Sequence, residues 1–315
     1  MSAKDFLMHY GRQFGTLLGL FILCFTLWLL TPYFLTVSNF LNIALQTSIN
    51  AIIAIGMTFV IISAGIDLSV GSVLAIAGVV MASGLKADLP LAAVIVMSLG
   101  VGTLCGIFNG VLITHGRLPP FIATLGMMSV ARGAALVFTQ GRPVSGFPDS
   151  FRNLATGEVF HIPVPVLIMI MLYLIAHVIL TRTKLGRYTY AIGGNEEAAI
   201  LSGVNVKFYK TVVYALCGLL SGAAAVILTA RLNSAQPIAG MMYELDAIAA
   251  TVIGGSSLMG GEGTIFGTLI GAFIMAILRN GLNLLGVSSY VQQIVIGGVI
   301  ILAVLVDTLL KRTRN

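Results

Sequence analysis

A row of amide side chains interrupts an apolar stretch in the first sixth of the chain. Asn42, Gln46 and Asn50 recur at every fourth position, so they share one face of a helix. Amides on such a face can replace water around the hydroxyl groups of a passing polar solute. They can equally hydrogen-bond a neighbouring helix, as polar side chains do in lipid. The row predicts either a solute pathway lined by Gln46 and Asn50 or a helix-packing face.

A carboxylate, Asp67, occupies a glycine-containing break between two apolar stretches. One interpretation is a cytoplasmic gate, or a brace for the loop 182–209. The other is a cap, in which Asp67 or Ser69 accepts backbone N–H groups at the start of a helix over 69–84. The two interpretations are compatible. A second glycine-rich break occurs at 254–261 and is predicted at the same edge of the membrane.

Isolated polar groups also occur further along the chain. An unpaired Arg132 within an apolar stretch would cost at least about 2.5 kcal/mol, so it requires a carboxylate, a carbonyl or water, and it is a candidate pathway residue. Glu244 and Asp246 are predicted at the outer entrance of a helix, where they either contact a partner protein or cap the helix. Asn280 and Asn283 are further pathway candidates near the outer edge.

The composition indicates which elements position these side chains. Of 315 residues, 58% are hydrophobic and 9% are charged, whereas soluble domains carry roughly 25% charged residues. Such a chain covers a lipid-facing surface, and we expect an all-α, polytopic helical membrane protein with a single domain over 1–315. Its ten predicted spans are 14–31, 42–62, 69–84, 90–113, 120–139, 163–181, 210–230, 245–256, 262–283 and 290–310.

Span length and charge predict the topology. Spans 69–84 and 245–256 are short for a bilayer, which requires about 20 helical residues, and are predicted to be half-helices. Eleven of the 17 basic residues flank one side of the ten spans, four flank the other, and two lie within spans. Because basic residues favour the cytoplasmic side, both termini and the loop 182–209 are predicted inside and the loop 140–162 outside.

The chain lacks the residue patterns of an enzyme. It has no G-x-x-x-x-G-K-[ST] sequence to cradle a nucleotide phosphate, and no nucleophile is spaced with a base and an acid. Three cysteines and four histidines are scattered without metal-ligand spacing. We expect no catalytic residue, metal or cofactor on this chain. The net charge of +6 does not indicate nucleic acid, because the basic residues cluster at span ends.

The loop 182–209 contains the signals of a short helix. Asn195 is a suitable N-cap, and Glu196 and Glu197 then occupy the first turn, where the positive helix end favours carboxylates. Gly203 suits the left-handed residue that ends a helix. A helix of about two turns is unstable alone in water, so transmembrane helices or a partner must support it.

The same loop resembles the Glu-Ala-Ala signature of ABC importer permeases, because Glu197-Ala198-Ala199 is followed after three residues by Gly203. It lacks the Ile-x-Leu-Pro continuation of the maltose-type permeases and is similar instead to the branched-chain amino acid and monosaccharide permease family. Further segments, within about residues 35 to 307, resemble the monosaccharide (ribose-type) branch: GIDLSVGS at 65–72, SAQP at 234–237, YELDAIAA at 243–250 and NGLNLLGVSSY at 280–290.

The resemblance implies a permease subunit of an ATP-driven importer in the bacterial cytoplasmic (inner) membrane. The implied substrate is a monosaccharide, foremost ribose, moved inward from the periplasm; allose, xylose, galactose or a furanosyl signalling molecule are the alternatives. The implied partners are a second permease copy, a periplasmic sugar-binding protein and a cytoplasmic ATPase that binds ATP–Mg. Residues 182–209, here called the coupling loop, would dock on the ATPase, with Ala198 and Ala199 small enough for close approach.

Two other classes remain as alternatives. A self-contained secondary transporter would carry solute without an ATPase, and it would usually need ion-coupling residues at mid-membrane. A membrane-embedded enzyme would need clustered His, Asp, Glu or Ser within the spans.

Overall fold

The computed structural model describes the backbone of residues 3–312 and the side chains of residues 15–305. This part of the chain forms thirteen helices and four two-residue strands. The helices are α1 (Ala3–Leu30), α2 (Val37–Ile62), α3 (Val70–Lys86), α4 (Leu91–Thr114), α5 (Pro120–Thr139), α6 (Asp149–Thr156), α7 (Val164–Arg182), α8 (Lys184–Gly194), α9 (Glu196–Leu201), α10 (Val206–Leu232), α11 (Tyr243–Ile253), α12 (Ile265–Leu284) and α13 (Ser289–Arg312). The strands are β1 (Val144–Ser145), β2 (Glu158–Val159), β3 (Ile162–Pro163) and β4 (Ser234–Ala235). Each predicted span coincides with a helix, which confirms the all-α prediction.

Six helices in the described part of the chain (α2, α4, α5, α7, α10 and α12) are long and apolar enough to cross a bilayer. Further apolar stretches within the described side chains lie at Gly15–Leu30, Val70–Lys86 and Ser289–Leu305. Helix α11 has 11 residues, about half of what a bilayer requires. It is the short helix that the sequence predicts, whereas α3, with 17 residues, is longer than a half-helix.

Helix α2 forms the centre of the bundle. Every residue from Ala51 to Ile62 is buried, as expected of a helix half that is apolar on all sides and surrounded by other helices. The hydroxyl oxygen of Thr58 in α2 lies 2.7 Å from the hydroxyl oxygen of Thr268 in α12. Helices α7, α10 and α11 also pack on α2, so both halves of the chain meet on it.

Helices α4 and α10 pack antiparallel with their backbones in close approach. A Cβ atom on Gly102 would overlap the carbonyl group of Gly218, and the reverse is also true. Small residues permit this approach between membrane helices. Ser98 Oγ donates to the Gly222 carbonyl at 2.9 Å across the same contact, which ties the first half of the bundle to α10.

The chain between α10 and α11 enters the bundle without helical structure. Gly240 lies so close to Gly71, at the buried start of α3, that neither could carry a Cβ atom without overlap. Helix α11 therefore begins in the bundle interior. Glu244 and Asp246 lie in the first turn of this helix, as predicted, and the turns of segment 236–242 bring that start against α3; a contact of the two carboxylates with a partner protein stays a prediction.

The two ends of the bundle carry different loops. At one end, here called the hairpin end, β1 pairs with β4 and β2 with β3, both antiparallel. Segment 140–162, predicted only as a loop, contributes β1, α6 and β2 to this end. The coupling loop lies at the opposite end, because α10 runs from it to β4. Helix α1 starts at that end too, where Thr16 Oγ1 donates to the Ile253 carbonyl at 3.2 Å.

Candidate functional site

Polar and charged side chains surround a cavity inside the bundle. It has a volume of about 170 Å³ and lies between α2, α11, α12 and the end of α10. Two predicted pathway residues, Gln46 and Asn50, share it with Asp246, which the sequence predicted at a helix entrance, and with Arg231 and Arg279. The polar lining includes Gln46, Asn50, Arg231, Tyr243, Asp246 and Arg279.

An ion pair joins α11 to α12 at this cavity. Arg279 Nη2 lies 3.0 Å from both carboxylate oxygens of Asp246, and Asn50 Nδ2 of α2 donates to Asp246 Oδ2 at 3.2 Å. Asp246 is 5% exposed, whereas the Arg279 side chain is 38% exposed. Asn50 Oδ1 is buried and has no hydrogen-bond partner among the described residues. One cavity thus presents a carboxylate, an amide and a guanidinium group.

The two asparagines near the end of α12 do not line this cavity. Asn280 exchanges two hydrogen bonds with Asn39 of α2, at 2.9 and 3.1 Å, and Asn283 accepts one from Gln292 of α13 at 2.7 Å. Amide contacts of this kind join helices in lipid. Both residues make packing contacts between helices, and Asn39 is a partner that no sequence signal had indicated.

Asp67 holds the break that precedes α3. Its Oδ1 accepts the backbone N–H of Ser69 at 2.8 Å and the Ser69 hydroxyl at 2.6 Å, which is the pattern of an Asx turn. Asn109 Nδ2 of α4 donates to Ser69 Oγ at 2.9 Å, so the break is tied to a neighbouring helix. The carboxylate braces the turn before α3 rather than capping its first residues. A gating role for Asp67 stays a prediction.

Arg132 reaches from α5 to segment 236–242, a series of turns between β4 and α11. Its Nη1 donates to the carbonyl oxygens of Pro237 and Ala239, both at 2.7 Å. The predicted need for a carbonyl partner is therefore met. Because this segment leads directly into α11, Arg132 positions the helix that carries Asp246, although Arg132 itself is not part of the cavity lining.

Helix α9, within the coupling loop, begins as the sequence predicts. Asn195 Oδ1 accepts the backbone N–H of Ala198 at 2.9 Å, which is the N-cap contact. Glu196 and Glu197 lie in the first turn. Lys210 of α10 pairs with Glu196 Oε2 at 2.5 Å, so the start of α9 is also tied to the following helix.

The end of α9 is also as predicted. Gly203 has a φ angle of +80°, and the N–H of Val204 donates to the Ala199 carbonyl at 3.0 Å, which is part of a Schellman ending. Ala199 is 4% exposed and packs with Ile192 and Val206. The expectation that Ala199 allows close approach to a partner is therefore wrong, because its methyl group supports the loop from inside.

The coupling loop contacts the bundle through α8, a helix that the sequence analysis did not identify. Gly193 of α8 lies against the carbonyl group of Ile62, the last residue of α2. The same carbonyl accepts the N–H of Gly261 at 2.9 Å. Tyr190 Oη donates to the Gly263 carbonyl at 2.6 Å. The coupling loop thus meets the ends of both glycine-containing breaks in one place.

The outer surface of α9 carries two exposed apolar side chains next to its glutamates. Leu201 is 89% exposed and Ile200 is 56% exposed. A cleft of about 600 Å³ lies beside them, between α9, the start of α10 and the turn that joins α4 to α5. Arg117, Lys207 and Lys210 are among its lining residues. Exposed apolar groups with a polar rim are typical of a protein-interaction surface.

A helix bundle that spans a membrane, with an internal polar cavity and an ordered loop at one end, is the architecture of a transporter's membrane subunit. Sequence comparison identifies the group to which it belongs. The chain is a member of the family described as branched-chain amino acid transport system / permease component, whose model matches residues 39–304. This match confirms the resemblance and defines a transport subunit rather than an enzyme.

Several permeases named for sugars are similar over nearly the whole chain. The chain is 52% identical to the ribose import permease protein RbsC of Haemophilus influenzae, over 93% of this chain and 92% of that protein. It is 50% identical to the protein of the same name from Bacillus subtilis, over 94% and 92%. The D-allose transport system permease protein AlsC of Escherichia coli is 42% identical, over 96% and 94%. No solved structure matches the chain.

Proposed function

We propose that this permease moves ribose inward across the cytoplasmic membrane as part of an ATP-driven importer. The proposal rests on the order of sequence identity to permeases that are named for different sugars. Identity is 52% and 50% to permeases named for ribose import, 42% to one named for D-allose and 36% to one named for galactose and methyl galactoside. Because these matches cover almost the whole chain, they include the cavity residues as well as the coupling loop.

Uptake of labelled ribose tests the substrate. Cells without a ribose importer of their own, supplied with this chain, its ATPase and its binding protein, should accumulate ribose. Unlabelled allose, xylose or galactose should compete weakly at concentrations at which unlabelled ribose competes fully. Stronger competition by one of these sugars than by ribose would reassign the permease to that sugar.

A cytoplasmic ATPase, which binds ATP–Mg, is the proposed partner at the coupling loop. The exposed side chains of Leu201 and Ile200 supply an apolar contact, and the exposed Glu197 and Ala198 lie on the same short helix. The ordered cap and ending of α9 hold this surface in one shape before docking. That pre-organisation lowers the entropy lost on association.

The hairpin end is the proposed contact for a periplasmic sugar-binding protein. Phe160, in the turn between β2 and β3, is 92% exposed. Glu244 is half-buried and Asp246 is 5% exposed, so the hairpin offers a better surface than these two carboxylates. A second permease copy completes the proposed importer, as the family resemblance implies.

A further inference from the structure

The cavity between α2, α11 and α12 contains more polar chemistry than helix packing requires. Asp246 is 5% exposed and pairs with Arg279 inside a chain that is 58% hydrophobic. An ion pair with a buried carboxylate contributes little net stability, because the desolvation of that carboxylate offsets most of the attraction. Ionisable groups within a membrane protein commonly mark a substrate path. The pair therefore calls for a functional explanation.

The groups around the ion pair suit a neutral polyol. Asn50 Oδ1 is a buried acceptor without a partner among the described residues, and the exposed amide of Gln46 lies one helical turn away on the same face of α2. A carboxylate has room for about four hydrogen bonds, and Asp246 receives three from Arg279 and Asn50. Hydroxyl groups both donate and accept, so they can satisfy acceptors and donors in the same cavity.

The ion pair itself disfavours an ionic ligand at Asn50. The Asp246 carboxylate disfavours an anion there, and Arg279 disfavours a cation. The pair carries no net charge, and the further charge of the cavity lining is Arg231, at the end of α10. A sugar hydroxyl can bridge both members of the pair without separating them.

We propose that Asn50, Asp246 and Arg279 form a sugar-binding subsite in the translocation path, at which hydroxyl groups of a pentose donate to Asn50 Oδ1 and Asp246 and accept from Arg279. This proposal rests on the proposed function. It adds Asp246 and Arg279 to the pathway and leaves Asn280 and Asn283 to helix packing. Tyr243, on the cavity wall, provides an aromatic surface next to the subsite.

The test separates sugar movement from ATP hydrolysis in proteoliposomes that contain the permease, its ATPase and its binding protein. Labelled ribose accumulated per ATP hydrolysed is measured for the wild type, Asn50→Leu and Asn50→Gln. Leucine preserves volume but removes both polar atoms of the amide, and should lower the ratio about tenfold, the effect of one or two lost hydrogen bonds. Ribose-stimulated hydrolysis should continue. Glutamine retains the amide and should restore most of the ratio.

Two further variants complete the design. Asp246→Asn preserves shape and should also lower the ratio. Thr103→Val is the control, because Thr103 Oγ1 bonds the Leu99 carbonyl of its own helix at 2.7 Å and is not part of the cavity lining; its ratio should stay at the wild-type value.

The outcomes distinguish the subsite from the proposed function. Wild-type ratios for both Asn50→Leu and Asp246→Asn would overturn the subsite. A parallel loss of hydrolysis and uptake in fully assembled complexes would also overturn it, because that pattern indicates a structural role. A wild-type complex that accumulates allose instead of ribose would refute the ribose assignment, and the same ratio measured with allose would then decide on the subsite.

Discussion

Gly193 of the coupling loop lies directly against the carbonyl group of Ile62, and a Cβ atom on Gly193 would overlap that carbonyl. Ile62 is the last residue of α2, and the same helix carries Asn50 at the cavity. A displacement of the coupling loop therefore acts on the end of a helix that reaches the proposed subsite. Because residues 51–62 of α2 are all buried and closely packed, this part of the helix can transmit such a displacement as a rigid element.

The first prediction concerns this contact. Gly193→Ala should insert in the membrane but transport ribose poorly, because the added methyl group forces the loop away from α2 at a cost of about 1–3 kcal/mol. Gly194→Ala is the matched control, since a Cβ at Gly194 meets no atom within 4 Å. Uptake and expression level are measured for both. Equal uptake by the two variants would show that the Gly193 contact does not transmit the motion.

The second prediction concerns the ending of α9. Gly203 has a φ angle of +80°, and a Cβ there would meet no atom within 4 Å, so only backbone strain opposes substitution. Gly203→Ala should strain the turn by about 1–2 kcal/mol and reduce the amount of ATPase that co-purifies with the permease. Gly203→Asn should bind more ATPase than Gly203→Ala does, because asparagine tolerates the left-handed region. If Gly203→Ala bound more ATPase than Gly203→Asn, backbone strain would be excluded as the cause of the loss.

The third prediction concerns Arg132, which donates to the carbonyl oxygens of Pro237 and Ala239. Arg132→Leu should lower the melting temperature of the detergent-solubilised permease, because hydrogen bonds from a charged group are worth about 1.5–3 kcal/mol each. Arg142→Leu, at an exposed position of the hairpin end, is the control and should change stability by at most about 0.5 kcal/mol. If the two variants have the same melting temperature, Arg132 does not hold the segment before α11.

The fourth prediction concerns orientation. In a variant without Cys24, Cys105 and Cys217, a membrane-impermeant thiol reagent added from the periplasm should label a cysteine introduced at Ser150. The reagent should not label a cysteine introduced at Ser202 until the membrane is permeabilised. Both serines are exposed in the structure, so accessibility depends only on the side of the membrane. Labelling of Ser202→Cys alone in intact cells would reverse the topology that the basic residues predict.

Local features of the fold could be predicted because their signals lie within a few residues. Apolar runs located all ten spans, and Asn195 with Gly203 located both ends of α9. Helix α8 was missed because its sequence, KLGRYTYAIGG, combines three glycines with two tyrosines and gives a weak helical signal. Only the N-cap Thr183, whose hydroxyl accepts the N–H of Gly186 at 3.4 Å, marks its start.

The cavity could be predicted only in part, because it depends on contacts between distant residues. The four-residue spacing of Gln46 and Asn50 indicated one face of α2. Arg279 and Asp246 are 33 positions apart, and their pairing follows from the inward path of segment 236–242, for which the sequence has no local signal. Asn280 was assigned to the pathway because its partner Asn39, 241 positions away, could not be identified from spacing.

Reconstitution of the purified permease, with and without its partners, is the most direct test of an ATP-driven importer. Labelled ribose should enter proteoliposomes only when the permease, the ATPase, the binding protein and ATP–Mg are all present. Permease alone should leave a ribose gradient or an ion gradient unchanged. Ribose uptake by the permease alone, driven by either gradient, would show instead that the chain is a self-contained secondary transporter.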